Sequence, residues 1–306
     1  MKPVHPSKIN IAKVLSIAGS DSGGGAGLQA DIKVITSLGG YAMTVVTAVT
    51  AQNTLGVTRI QDIDVEVIEA QLDAVISDIG VDAVKIGMLA SPAIVRTVAK
   101  ALRRHQIQRI ILDPVLRATS GASLGGDDTA QAILSELVPM ASLVTPNLHE
   151  ASILLKRSIT HADELAQAAN DLLQFGSQAV LIKGGHLFDS LPTSELHAKP
   201  REIVDYLIWR ARKDDQPVIL QQAFAHPRID TLNTHGTGCS LASAIATYFA
   251  DGHDMKHSVA KGIAYVTAGL EAGRDLNIGA GPGPLWHMHA FYPTHLLDES
   301  STRDKT

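Results

Sequence analysis

Cysteine is all but missing from this chain: Cys239 is the one thiol in 306 residues. That excludes an intramolecular disulfide and fits a reducing compartment. Long hydrophobic runs are missing too. Nothing reaches the roughly 18 consecutive apolar residues of a membrane-spanning helix. The apolar part of the N-terminal MKPVHPSKINIAKVLSIAG is too short and too interrupted for a signal peptide. Positive charge is not in surplus. With 26 Lys and Arg against 31 Asp and Glu, the net charge of −5 gives no footprint for nucleic acid or an anionic membrane. The expectation is a soluble cytoplasmic protein that binds neither. Phosphate chemistry stays open, because backbone N–H groups hold a phosphate without a basic surface.

Linkers and internal repeats are absent as well, and 45% hydrophobic residues suffice for one large core. The reading is an N-terminal extension over 1–13, a single domain over 14–292 and a polar tail over 293–306. Within the domain, short β-branched runs alternate with segments of helical period, the pattern of a mainly parallel sheet with helices on both faces. Strands are expected at Val14–Ala18, Tyr41–Thr50, Ala83–Ile86, Arg109–Leu112, Leu143–Thr145 and Ala179–Ile182. Helices are expected at Gly27–Leu38, Val65–Ile79, Pro92–Arg104, Thr129–Leu137, His149–Leu155, Ala162–Phe175, Gly238–Asp251 and Met255–Ala272. The charged stretch Asp189–Asp230 reads as an edge hairpin with a longer loop, its strand signal confined to Val218–Gln222. Ligands of such a sheet bind at the carboxyl ends of its strands.

Four motifs stand at those ends. Gly19-Ser20-Asp21-Ser22-Gly23-Gly24-Gly25-Ala26-Gly27 links a strand to a helix. Its glycines permit close backbone approach, but it lacks Gly-Lys-Ser/Thr, and a bare glycine turn is an open alternative to a ligand loop. Asn233-Thr234-His235-Gly236-Thr237-Gly238-Cys239 opens an apolar helix, where Gly236, Thr237 and Gly238 form a nest of N–H groups for an anion. Cys239 there is either a thiol whose anion the helix start favours or a small packing residue. Asp113 and Thr145-Pro146-Asn147-Leu148-His149-Glu150 supply oxygen ligands for a metal–phosphate site, or Asn147 and Glu150 form a helix capping box; the two are compatible. Lys183-Gly184-Gly185-His186 either meets phosphate or merely turns. His253, His257, His287 and His289 read as surface histidines.

Seven blocks, IAGSDSGGGAGLQADIK, TAVTAQNTLGV, KIGMLAS, LDPVLRATSG, TPNLHEA, VLIKGGH and PRIDTLNTHGTGCSLASAIA, occur in order over residues 14–290. In this set the chain resembles the hydroxymethylpyrimidine/phosphomethylpyrimidine kinases of thiamine biosynthesis, within the ribokinase-like α/β fold. The resemblance implies a homodimer that uses ATP and Mg²⁺ to phosphorylate a small pyrimidine and then its monophosphate. It implies that Gln52, Gly19, Asp31 and Met88 contact the pyrimidine and that Gly236, Thr237 and Gly238 form the anion hole. It further implies Cys239 as the group that handles the proton, Lys183, Gly184 and Asn147 on the nucleotide side, and Asp113 and Glu150 toward magnesium. Ser22 stands where many relatives have proline, and Leu187–Gln222 is longer than the usual hairpin. A pyridoxal/pyridoxine kinase of the same fold is the nearest rival, and a pyrimidine-sensing protein without catalysis is a rival of another class. The complete Gly-Thr-Gly-Cys run argues against the second.

Overall fold

The computed structural model describes residues 11–116, 126–159, 161, 164–185 and 202–292. Strands among them are β1 (Lys13–Asp21), β2 (Tyr41–Asn53), β3 (Gly56–Asp62), β4 (Ala83–Ile86), β5 (Ile110–Leu112), β6 (Leu143–Val144), β7 (Ala179–Ile182), β8 (Glu202–Lys213) and β9 (Gln216–Pro227). They form one sheet in the order β3-β2-β1-β4-β5-β6-β7-β8-β9. The six strands from β2 to β7 in that order run parallel, and β3, β8 and β9 join antiparallel at the edges. The central runs are short and apolar because both of their faces are covered.

Helices are α1 (Gly27–Ser37), α2 (Val65–Asp78), α3 (Pro92–Arg104), α4 (Asp127–Ala132), α5 (Leu148–Leu155), α6 (Leu165–Leu173), α7 (Thr237–Ala250) and α8 (Met255–Ala272). The two-residue strand period sorts them. Leu15, Ile17, Ile86, Val180 and Ile182 pack with residues of α2, α3 and α6 in one core. Val14, Ile111 and Leu181, of the opposite parity, pack with Ile35 of α1 and with α7 and α8 in another. Side-chain caps open α3, α5 and α8. α3 starts on Ser91, which caps Ile94 N–H, with Pro92 at the first position, and ends on Arg103 and Arg104.

With one exception the expected strands and helices are present, Ala83–Ile86, Ala179–Ile182, Pro92–Arg104 and Met255–Ala272 with the expected ends and the others with shifted ones. Thr129–Leu137 is not one helix: after α4 it continues as a π-helical turn, Ile133–Leu137, and then a 3₁₀ turn, Val138–Met140. Pro139, which has no N–H to donate, falls in that second turn. Two strands are additions. β3 extends the sheet beyond β2, and β8 pairs with a β9 far longer than Val218–Gln222. The expected edge hairpin is formed by β8 and β9, joined by a tight turn of two left-handed residues, Asp214-Asp215, at φ +50° and +61°. Ala162, His186, the stretch 187–201, the tail 293–306 and most of the N-terminal extension lie outside the described residues. Among the described residues no helix is long and apolar enough to cross a membrane.

Candidate active site

β1 lies between β2 and β4, so the chain reverses its direction of travel across the sheet there, and ligands bind at such a switch point. A cleft of about 650 Å³ opens at the strand ends around this point. Its centre is the start of α7. Gly236 has φ +81°, and a Cβ on it would land on the carbonyl oxygen of Gly25. A Cβ on Gly25 would in turn strike the His235 ring. The two glycine loops are therefore interlocked without space for a side chain at either position. The first-turn N–H groups of α7 have no intrahelical acceptors and face the cleft that Gly236, Thr237, Gly238 and Cys239 line.

On one side stand Gln52, Gly19 and Met88, all lining the cleft. Gln52 lies on β2 near its hairpin with β3, and its amide nitrogen is 3.4 Å from His235 Nε2. The same His235 nitrogen is 2.9 Å from Asp21 Oδ2, which pins the second loop to the first. Burial raises the Asp21 carboxyl, but the bond with His235 and the N–H groups of Ala26 and Gly23 outweigh it and hold it below the usual carboxylate range. A Cβ on Gly19 would stand 3.0 Å from Met88 Sδ, so the glycine leaves room for that side chain.

On the other side, Lys183 Nζ donates to Asp113 Oδ1 at 2.9 Å and lies 3.9 Å from Glu150 Oε2. A Cβ on Gly238 would be 3.2 Å from Lys183 Nζ, so this cluster abuts the helix start. Asn147 and Glu150 do form the capping box: Glu150 N–H donates to Asn147 Oδ1 and Asn147 N–H to Glu150 Oε2, each at 2.8 Å. Burial pushes the Glu150 carboxyl up to about 7, with Lys183 pulling it down and Asp113 adding to the rise. Among the described residues no three His, Cys, Asp or Glu side chains gather into a group that holds a metal unaided. Two buried carboxyl groups lining the cleft, Asp113 and Glu150, do fit magnesium, which takes one or two protein oxygens and leaves the rest to phosphates and water.

Four sequence readings change. Asp31 is fully buried behind the wall, where it accepts from Ser16, Lys85 and Ser243 and does not line the cleft. Gly184 faces β8, donating its N–H to Asp205 Oδ1 at 2.9 Å, while its neighbours Lys183 and Gly185 line the cleft. Cys239 takes a hydrogen bond from Gly27 N–H, and burial is the largest effect, pushing the thiol up to about 11, against Lys85 and with Asp113 and Asp31. His287 is no surface residue. It is buried, shares a 3.1 Å hydrogen bond with Ser240, and burial lowers it to about 3.

Residues that the sequence reading passed over also meet here. His235 and Lys85 line the cleft, as do Asp205 and His226 from the hairpin, paired at 3.2 Å. A lysine inside the four-residue buried strand Ala83–Ile86 was a legible signal, since such a charge requires a partner. The hairpin pair gave none, because β8 itself was hidden by its charges.

A helix N-terminus, a lysine and buried carboxylates around one cleft at the switch point of a parallel sheet define a phosphotransferase of the ribokinase-like class. The chain belongs to the phosphomethylpyrimidine kinase family, whose model matches residues 21–286. It is 43% identical over 282 residues to the hydroxymethylpyrimidine/phosphomethylpyrimidine kinase of Rhizobium meliloti, which covers 92% of this chain and 98% of that one. Among solved structures, a pyridoxal kinase of Bacillus subtilis in complex with ADP superposes with TM-score 0.78 at 32% identity, covering 91% of this chain and 98% of the other. A phosphomethylpyrimidine kinase of Clostridium difficile gives TM-score 0.69 at 34% identity, covering 84% and 98%.

Proposed function

We propose that this chain transfers the γ-phosphoryl group of ATP to the hydroxymethyl arm of 4-amino-5-hydroxymethyl-2-methylpyrimidine, and then a second phosphoryl group to the monophosphate, preparing the pyrimidine half of thiamine. It does so in the cytoplasm, as a homodimer. The observation that carries this reading is one cleft in which the start of α7 stands between an amide-bearing side, Gln52, and a lysine–carboxylate side, Lys183 with Asp113 and Glu150.

The Gln52 amide donates and accepts, which suits a ring nitrogen beside an exocyclic amine. Met88 offers an apolar face to the ring. Lys183, with Asn147 beside it, meets the phosphates of the nucleotide. Phosphoryl transfer asks mainly for in-line placement and charge neutralisation, and the N–H groups of Gly236, Thr237 and Gly238 supply both at a fixed position. Magnesium, held toward Asp113 and Glu150, would spread the charge of the β- and γ-phosphates. A thiol near 11 is protonated at rest, so Cys239 first gives its own S–H proton to solvent, and the thiolate then takes the proton of the attacking hydroxyl; that transfer comes late, as suits a loose transition state in which the nucleophile needs little activation.

Pyridoxal phosphorylation is the second reading, favoured by the close superposition on the pyridoxal kinase of Bacillus subtilis. Mass spectrometry after incubation of the chain with MgATP and each acceptor separates the two. Mono- and diphosphate from the pyrimidine support the proposal. Phosphorylation of pyridoxal with none of the pyrimidine would replace it by the rival, and no ATP turnover with either acceptor would leave a binding protein.

A further inference from the structure

Beneath Cys239 lies a pair of charges that the reaction as proposed does not use. Lys85 of β4 and Asp31 of α1 are both fully buried. Lys85 Nζ donates to both Asp31 oxygens at 2.9 Å. Ser16 donates to Oδ2 at 2.5 Å and Ser243 to Oδ1 at 2.7 Å, so neither the carboxylate nor the ammonium has room to turn. Gly87 leaves space for the ammonium, since a Cβ there would stand 2.8 Å from Nζ. A buried ion pair of this kind is often no more stabilising than an apolar pair of the same volume, so stability alone does not account for it.

Its position does. Ser243 follows Cys239 by four residues on α7, so both project from one face of the helix, a turn apart. The Ser243–Asp31 bond therefore ties the ion pair to the face that carries the thiol, and Lys85 borders the cleft together with Cys239. The charges that act on the thiol come from four elements: Lys85 on β4, Asp31 on α1, Asp113 after β5 and Lys183 after β7. The Gly27 N–H adds a hydrogen bond. Of the charges, Lys85 exerts the strongest pull toward the thiolate, while Asp113 and Asp31 oppose it.

We infer that Lys85 is a positioning residue for the phosphoryl transfer: locked by Asp31, its ammonium holds a fixed positive charge under Cys239, where negative charge develops as the thiol loses or relays a proton. The inference deepens the function proposed above and takes the role of Cys239 from it. The charge placement itself is readable without any substrate.

Cys239 is the only thiol in the chain, so the rate of its alkylation by iodoacetamide as a function of pH reports its ionisation directly. The decisive variant is the double replacement Lys85→Met with Asp31→Asn, which removes both charges while keeping size and an acceptor for the serines. Alkylation should slow about tenfold at a given pH, and the rate profile should shift to higher pH. Asp31→Asn alone leaves the ammonium without its counter-charge and should shift the profile the other way, to lower pH. Loosened packing would expose the thiol and speed alkylation in both variants, so opposite shifts separate charge from packing. Circular dichroism and cooperative thermal unfolding establish that each variant is folded. A folded double variant with the wild-type profile overturns the inference. Should the double variant not fold, slower or unchanged alkylation in Asp31→Asn does so. Products absent from the phosphorylation assay while the opposite shifts appear would sink the proposed function and leave the charge placement standing.

Discussion

Single residues divide the work of the cleft by what their atoms can exchange. Gln52 offers donor and acceptor together, and Gln52→Leu would leave polar atoms of the pyrimidine edge unpaired at about 1–3 kcal/mol. The acceptor KM should rise strongly and the ATP KM hardly at all; steady-state kinetics with each substrate varied in turn checks this, and equal effects would take Gln52 out of the acceptor pocket. Cys239→Ser keeps the size but puts a less acidic group beside the anion hole. Its kcat should fall on the order of 10²–10⁴-fold, the usual worth of a lost proton acceptor, with ATP affinity by calorimetry unchanged. Near-full activity would reduce Cys239 to a packing residue.

Much of this scale was legible in the sequence, because glycine runs and strand-end polar residues announce themselves by spacing. Asp113, Asn147, Glu150 and Lys183 line the cleft where the strand ends put them. What escaped was pairing across the chain. Asp31 was expected in the pocket only through the family resemblance, but it follows the first glycine loop by one helical turn and points into the core toward Lys85. His235 was overlooked inside a motif read for its glycines, and only the fold brings Asp21 to it. The charge state of Cys239 stayed open in the sequence for another reason: position at a helix start is visible there, whereas the burial that raises the thiol is not.

At the scale of elements, the hairpin of β8 and β9 shows why edge strands are hard to read. β8, which lies between β7 and the edge strand β9, carries Glu202, Asp205, Arg210, Arg212 and Lys213, charges that erase the apolar signal of a strand. Its tight turn places Asp214 and Asp215 in the left-handed region, where glycine is at ease and other residues are strained. Asp215→Gly should therefore stabilise the chain by roughly 0.5–1 kcal/mol, seen as a higher urea midpoint with an unchanged slope. A loss of stability would mean that the Asp215 side chain matters more than its backbone.

The segment after α8 gives a second expectation. His287 is held neutral with a folded value near 3, far below the ordinary 6.5, and it bonds Ser240 in the first turn of α7. The unfolded chain binds this proton first, so the stability it supports is complete above pH 6.5 and drains away as pH falls toward 3. The steepest loss is about 1.4 kcal/mol per pH unit. His287→Gln, which cannot titrate, should flatten the dependence of the urea midpoint over that range. An equally steep curve would assign the acid loss to other groups.

At the scale of the whole molecule, the cleft of about 650 Å³ among the described residues is proposed to serve both phosphorylations, and the sequence offers no second site. The monophosphate must therefore occupy the place of the free pyrimidine in order to become an acceptor. In initial-rate measurements of the first step, added monophosphate should raise the apparent KM of the pyrimidine and leave kcat alone. A fall in kcat at unchanged KM would place the monophosphate elsewhere. The architecture that creates this cleft was legible throughout, since buried parallel strands and amphipathic helices are periodic over long stretches. The edges of the sheet were not, because an edge strand is specified by its neighbour as much as by its own residues.

The interlocking of the two glycine loops also has a meaning in time. Asp21 and His235 are 214 residues apart, and Gly25 and Gly236 fit only when both loops are present. At about 5–20 residues per second, translation separates the emergence of the two loops by roughly 10–40 s. During that interval the loop after β1 stands without the start of α7 that locks it, so the proposed site is incomplete. It is completed in a single step, when α7 docks and His235 reaches Asp21.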